Sequence, residues 1–278
     1  MITTKISGGF GNQLFMYACG YAASRRLNTG LVLDTSFMDT DGLRDYELDK
    51  LNIKYDKQFS TEWLKLYPLK VLYRKIIRGT MLARYTMFKE KETYHFDPEY
   101  LNIKDNTYLY GYWQTEKYFK NCRKDLLQMF TPRYELSSGC KEYINKANCC
   151  NSVAVHIRRG DYVKIGICLD TSYYFHAFEY LEQKMSDITY FVFSDDMEYA
   201  RKMFQNSQRK IEYVHYTPAN PTLDDFFIMK ACKHIIMANS SFSWWAAWLN
   251  NNPDKQVLYP KTDWAGTDFY PEEWTMIQ

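Results

Sequence analysis

Four segments of this 278-residue chain repeat one pattern: an apolar strand, a turn of small or charged residues, then a helix or a polar exit. Residues 3–6 lead into Ser7-Gly8-Gly9-Phe10-Gly11 and a helix from about 12 to 27. Residues 152–157 lead into Arg158-Arg159-Gly160-Asp161. Residues 190–193 end in Ser194-Asp195-Asp196 before a helix near 197–204. Residues 234–237 run into Ala238-Asn239-Ser240-Ser241 and a helix from about 242 to 250. Strands alternating with helices imply parallel βαβ units. Ligands of such sheets sit beyond the carboxyl ends of the strands, where all four polar turns fall. The polar stretch 137–151 reads as an irregular boundary, giving domains 1–150 and 151–278. The fold class is therefore α/β, with two Rossmann-like domains facing across a cleft.

Composition is compatible with this and excludes several classes. Hydrophobic residues make up 46% of the chain against only 12 Gly and 8 Pro, which rules out a disordered or fibrous protein. Aromatic residues reach 18%, and flat rings with polar edges suit sugar faces as well as cores. A net charge of +2 is too mild for a nucleic-acid protein. Seven scattered cysteines without a CxxC pair point to a reducing compartment. Without a signal-peptide pattern or an 18-residue apolar run, the expected location is cytoplasmic.

The turns differ in the chemistry they can carry. In an extended chain His156 and Arg158 share one side and Arg159 takes the other. Two guanidiniums can then grip a diphosphate from two directions, each a planar fork matched to phosphate oxygens. The competing reading is a solvated strand end with an Arg–Asp pair. Ser240, Ser241 and Ser243 can cap a helix or present donors to a phosphate. Asp195 and Asp196 can cap the next helix or accept the paired N–H groups of a guanine edge. Trp244, Trp245 and Trp248 suit packing of the last of these helices on the sheet.

The first turn also invites a dinucleotide reading, with Asp34 as the acid ending the next strand. The run from Gly9 nevertheless reads G-x-G-x-x-L, placing Leu14 where a third small residue is needed for close helix–strand packing. There is no GxxxxGK[ST] loop, HExxH or zinc-type cluster. The single Asp-x-Asp, Asp39-Thr40-Asp41, lies in a polar loop, so no metal site is expected.

Taken in order, Gly8-Gly9-Phe10-Gly11-Asn12-Gln13-Leu14-Phe15, His156-Ile157-Arg158-Arg159-Gly160-Asp161-Tyr162, Phe193-Ser194-Asp195-Asp196 and Asn239-Ser240-Ser241-Phe242-Ser243-Trp244-Trp245 resemble the bacterial-type α-1,2-fucosyltransferase family. So does the closing Tyr270-Pro271-Glu272-Glu273-Trp274-Thr275. The resemblance implies a GT-B-like fold and transfer of L-fucose from GDP-fucose to the 2-hydroxyl of a galactose, without a cofactor or catalytic metal. It implies that the C-terminal domain binds the donor, with Arg158 and Arg159 at the pyrophosphate and Asp161 in the same motif. His156 with Asp195 or Asp196 would hold guanine or ribose, and Ser240, Ser241 and Ser243 would contact phosphate. The glycine turn would face the fucose and a galactose-terminated glycan acceptor, with its Asn12 expected to act in catalysis beside Arg158 and Arg159. The alternatives are a dinucleotide-dependent oxidoreductase and a non-catalytic glycan-binding protein.

Outside these motifs, residues 63–91 carry eight basic side chains, including Lys65, Lys70, Arg74, Lys75 and Arg78, against one acid, Glu90. After Pro68 a helical period sets Leu69, Leu72, Tyr73, Ile76 and Ile77 on one arc and Lys70, Arg74, Lys75 and Arg78 on the other. The ordinary expectation is an apolar face turned to the core. The alternative is weak peripheral contact with an anionic inner membrane face.

Overall fold

The computed structural model describes residues 1–40, 44–62, 64, 66–263 and 267–278, without the side chains of 40, 77, 78 and 80–83. Asp41, Lys65 and the side chains of Ile77 and Arg78 lie outside that description. The chain forms two compact units, Met1–Tyr134 with Thr267–Phe269, and Glu135–Gly266 with Tyr270–Gln278.

The first unit holds five parallel strands: β1 (Ile2–Lys5), β2 (Leu31–Asp34), β3 (Lys57–Phe59), β4 (Thr86–Lys89) and β5 (Thr107–Tyr110). Their spatial order is β3-β2-β1-β5-β4. Helix α1 (Phe10–Arg26) is buried along most of its length. A Cβ on Gly20 would lie 2.8 Å from Thr4 Cγ2, so this glycine permits the close helix–strand approach. Leu14 therefore does not impair the packing; the small residue is simply further along the helix, and Leu14 fills the core with no exposure. The carboxylate of Asp34 accepts from Tyr108 Oη at 2.6 Å and from the amide and hydroxyl of Ser36. That fully engaged, buried acid removes the ribose ligand the dinucleotide reading requires.

The basic segment forms α2 (Tyr67–Arg84). Its outcome differs from the ordinary expectation, because Leu69, Leu72 and Ile76 are exposed while Lys70, Tyr73 and Arg74 are half-buried. The short helix α3 (Arg123–Met129) ends this unit.

The second unit begins before position 151. The stretch read as an irregular boundary is α4 (Ser138–Asn148), capped by Ser137, whose hydroxyl accepts the Cys140 amide at 3.1 Å. Cys140, Tyr143 and Ala147 repeat at three- and four-residue spacing and are buried. Polar composition concealed that period. The remaining helices are α5 (Gly160–Ile165), α6 (Thr171–Glu182), α7 (Met197–Met203), α8 (Pro221–Ala231) and α9 (Ser241–Leu249). They surround six parallel strands: β6 (Asn151–Ile157), β7 (Ile188–Ser194), β8 (Lys210–Tyr213), β9 (His234–Ile236), β10 (Val257–Pro260) and β11 (Thr275–Ile277). The spatial order is β11-β10-β9-β6-β7-β8.

Alternation along β6 divides the core of this unit. Val153, Val155 and Ile157 pack with Tyr173, Tyr174, Ala177 and Phe178 of α6. The His156 ring, on the other face, lies 5.5 Å from that of Phe242. Trp244, Trp245 and Trp248 of α9 pack on one another and Trp244 on Trp274, all almost fully buried. Burial on this scale fixes α9 firmly, since one large apolar side chain removed from water contributes about 1.5–3 kcal/mol. Among the described residues no helix is long and apolar enough to cross a membrane. All seven cysteines are unpaired thiols.

Candidate active site

Strand order singles out one position in the second sheet. The chain proceeds from β6 outward to β7 and β8, then returns to the other side of β6 to lay down β9. The connections following β6 and β9 therefore diverge, leaving space beyond their carboxyl ends, which is where open α/β sheets bind ligands. The Arg158-Arg159-Gly160-Asp161 turn leaves one of these strands and the Asn239-Ser240-Ser241 turn leaves the other. Two hydrogen bonds tie them: Tyr162 Oη donates to the Asn239 carbonyl at 3.2 Å, and Asn239 Nδ2 donates to the Ile167 carbonyl at 2.8 Å.

Register supplies the third turn. The β6–β7 ladder ends with Ile157 opposite Ser194, so the two arginines and the two aspartates emerge side by side. Arg158 Nη1 pairs with Asp195 Oδ2 at 2.8 Å, and its Nη2 donates to Asp161 Oδ1. Arg159 Nε donates to Asp196 Oδ2 at 3.1 Å, and its backbone amide donates to Asp195 Oδ1 at 2.8 Å. The Arg159 guanidinium stacks 3.5 Å above the Tyr199 ring. Both Nη groups of Arg159 stay without a hydrogen-bond partner among the described residues. Each fork is thus aimed by an acid while retaining N–H groups for an anion.

The other sequence candidates fall into place around this pair. Asp195 and Asp196 are committed to the arginines, and Asp196 Oδ1 also caps α7 by accepting the Tyr199 amide at 3.1 Å. Ser240 caps α9, accepting the Phe242 amide at 3.3 Å, and Ser241 is half-buried beside it. Ser243 is a correction to the sequence reading. The turn of α9 points it inward, fully buried, with its hydroxyl donating to the carbonyls of Ala238 and Ser240. It is held away from any phosphate.

His156 is 7% exposed, and its Nδ1 is buried without a hydrogen-bond partner. Burial, assisted by the Arg158 charge, pushes its pKa down to about 3, so the imidazole is neutral. Asn239 Oδ1 is likewise buried and unpartnered. These are two of several such buried atoms among the described residues, and they lie on β6 and just past β9. Asn239 and Tyr199 escaped the sequence assignment, because their contacts depend on strand register and helix phase.

In the first unit the corresponding switch point lies between β1 and β5. Gly8 adopts φ +75°, and Asn12 Oδ1 accepts from Gln114 Nε2 at 2.9 Å. Glu90 lies at the same sheet edge, receiving the amides of Tyr112 and Trp113 at 2.8 Å each, and burial raises its pKa despite those bonds. Lys5 sits over the rings of Phe37 and Tyr110 at 4.6 and 4.7 Å. Among the described residues no group of three or more His, Cys, Asp or Glu side chains is placed to hold a metal ion.

Comparison with known proteins gives this geometry a context. The family model "Glycosyl transferase family 11" matches residues 1–278. An α-1,2-colitosyltransferase of Escherichia coli is 34% identical, with 100% of this chain and 99% of that protein covered. The galactoside 2-α-L-fucosyltransferase SEC1 of Bos taurus is 24% identical over 65% of this chain and 51% of its own length. Among solved structures, the fucosyltransferase NodZ from Bradyrhizobium superposes with a TM-score of 0.50 at 12% identity, covering 88% of this chain and 91% of that one. That similarity supports the two-unit, GT-B-like α/β fold.

Proposed function

The chain belongs to glycosyl transferase family 11, and from that premise we propose that it is an inverting transferase for α-1,2 linkages. It moves L-fucose from GDP-β-L-fucose to the 2-hydroxyl of a galactose in a glycan acceptor. The observation that supports this reading is the pair Arg158–Arg159 at the β6/β9 switch point, each guanidinium oriented by an aspartate.

The chemistry follows from charge. The bond between fucose C1 and the β-phosphate oxygen breaks, and its electron pair stays on GDP. Negative charge grows on the diphosphate as the sugar becomes cation-like. Guanidiniums already fixed in place stabilise that charge without reorganising, which is the electrostatic task a metal ion performs elsewhere. The galactose oxygen bonds to C1 from the opposite face, inverting β to α, and its proton departs with or after attack.

In this scheme Asp161, Asp195 and Asp196 hold the arginines, and for Asp195 and Asp196 that role replaces direct guanine contact because both oxygens of each are already engaged. Ser240 and Ser241 border the phosphates. Neutral His156, on β6, and Asn239, just past β9, flank the nucleotide site. The first unit serves the acceptor, with Asn12 oriented by Gln114.

A second donor is favoured by one observation: the whole-chain relative at 34% identity is a colitosyltransferase. Colitose is fucose without its 3-hydroxyl. A site that hydrogen-bonds that hydroxyl rejects the deoxy sugar strongly, whereas an apolar site there accepts both. The test is incubation with GDP-fucose or GDP-colitose and a galactoside panel in EDTA, with mass and linkage analysis of products. Transfer from GDP-fucose to O2 supports the first reading, transfer from GDP-colitose alone supports the second, and a strict requirement for a divalent cation overturns the metal-free scheme.

A further inference from the structure

We propose that the exposed stripe of α2 docks the protein on an anionic membrane surface. Leu69, Leu72 and Ile76 recur at three- and four-residue spacing and are 45%, 53% and 54% exposed. Leu66 and Tyr67, at the start of the helix, are 62% and 60% exposed. These five are nearly half of the eleven exposed large hydrophobic side chains among the described residues, gathered on one short segment. The arc carrying Lys70, Tyr73 and Arg74 is half-buried instead, with the Arg74 guanidinium 5.1 Å from the Phe37 ring centre. An ordinary surface helix buries its apolar stripe; this one presents it.

Charge selects the occupant. Residues 63–89 contain seven Lys or Arg and no Asp or Glu, and Lys75 is exposed beside the stripe. An isologous contact with a second copy would bring two such basic segments together, and like charges in apposition are costly. A bilayer with anionic headgroups meets both needs: its interface takes up the leucines and isoleucine while its surface potential attracts the lysines and arginines. Docked this way, the transferase would meet acceptors presented on the same bilayer. The inference is independent of which sugar is transferred.

The full chain is sedimented with vesicles of phosphatidylcholine alone and of phosphatidylcholine with phosphatidylglycerol. Binding is expected only to the anionic vesicles. It should fall severalfold as salt rises from about 0.1 M to about 1 M, where the screening length shrinks from about 10 to about 3 Å. The double substitution Leu72→Gln, Ile76→Gln and the single change Lys75→Glu should each reduce binding at least severalfold. All three side chains are exposed, so transferase activity on a soluble acceptor and the melting temperature should be retained, which distinguishes lost docking from lost folding. No binding by the wild-type chain at low salt overturns the proposal, as does equal binding by the double variant. Concentration-dependent self-association that the same substitutions abolish would assign the stripe to a second copy instead.

Discussion

A Cβ on Gly160 would lie 2.6 Å from Asp195 Oδ2, closer than real side-chain contacts come. That carboxylate is not free to swing away, because Arg158 and the Arg159 amide both hold it. The glycine in the Arg-Arg-Gly-Asp turn is therefore explained by the aspartate arriving from the neighbouring strand. Gly160→Ala should displace Asp195, release the fork of Arg158 and lower kcat/KM by about tenfold, equivalent to roughly 1.4 kcal/mol of transition-state stabilisation. Steady-state kinetics with a saturating acceptor measure this, and wild-type turnover would show that the carboxylate relaxes without consequence.

The stacking of Arg159 on Tyr199 yields a second prediction. Tyr199→Leu removes the ring face and should cost about 2- to 30-fold in kcat/KM, whereas Tyr199→Phe should keep most of the activity. Arg159→Lys retains charge but loses the planar fork and should cost on the order of 10²-fold, as should Arg158→Lys. Because the stack needs both partners, Arg159→Lys with Tyr199→Leu should cost less than the product of the single effects. Additive losses would mean that the ring does not orient the guanidinium.

The two aspartates separate by stability. Asp196 accepts the Tyr199 amide at the start of α7 as well as Arg159 Nε. Asp195 does not cap α7; its Oδ1 accepts the amide of Arg159, the residue just before α5. Asp196→Ala should therefore lose about 0.5–2 kcal/mol of folding stability through the missing cap, with a smaller loss for Asp195→Ala. Both variants should weaken GDP in calorimetric titration. Unchanged GDP affinity in both would remove the acids, and the arginine geometry they maintain, from the donor site.

His156 provides a pH signature. Burial first, and the Arg158 charge second, hold its pKa down to about 3, below the ordinary imidazole value of about 6.5. Between those values the unfolded chain binds a proton that the native site refuses. Native stability therefore declines as pH falls through that window, by at most about 1.4 kcal/mol per pH unit from this residue. His156→Gln lacks the titration, so its melting temperature should drop less than the wild type's between pH 7 and about pH 5. Parallel melting curves for the two proteins would show that the imidazole is already accessible to protons in the native state.

The sequence by itself determined the strand–turn–helix units, their parallel pairing and the chemical character of the turns. Periods of two and 3.6 residues, glycines and charged exits are local properties, and β6, β7, β9 and α9 lie close to where the sequence pattern places them. Local pattern also sufficed for the family, since the ordered motifs are contiguous in the chain. It failed at 137–151, where three buried positions in a polar helix gave a weak period. Only the tertiary structure decided how the turns meet. The Ile157–Ser194 register puts Asp195 and Asp196 against the arginines rather than leaving them open to a base. The phase of α9 turns Ser243 inward, and the seating of α2 leaves Leu69, Leu72 and Ile76 outside. Each outcome depends on which side of an element faces its neighbours in space, and a helical or strand period gives the sides without saying which one the rest of the chain will cover.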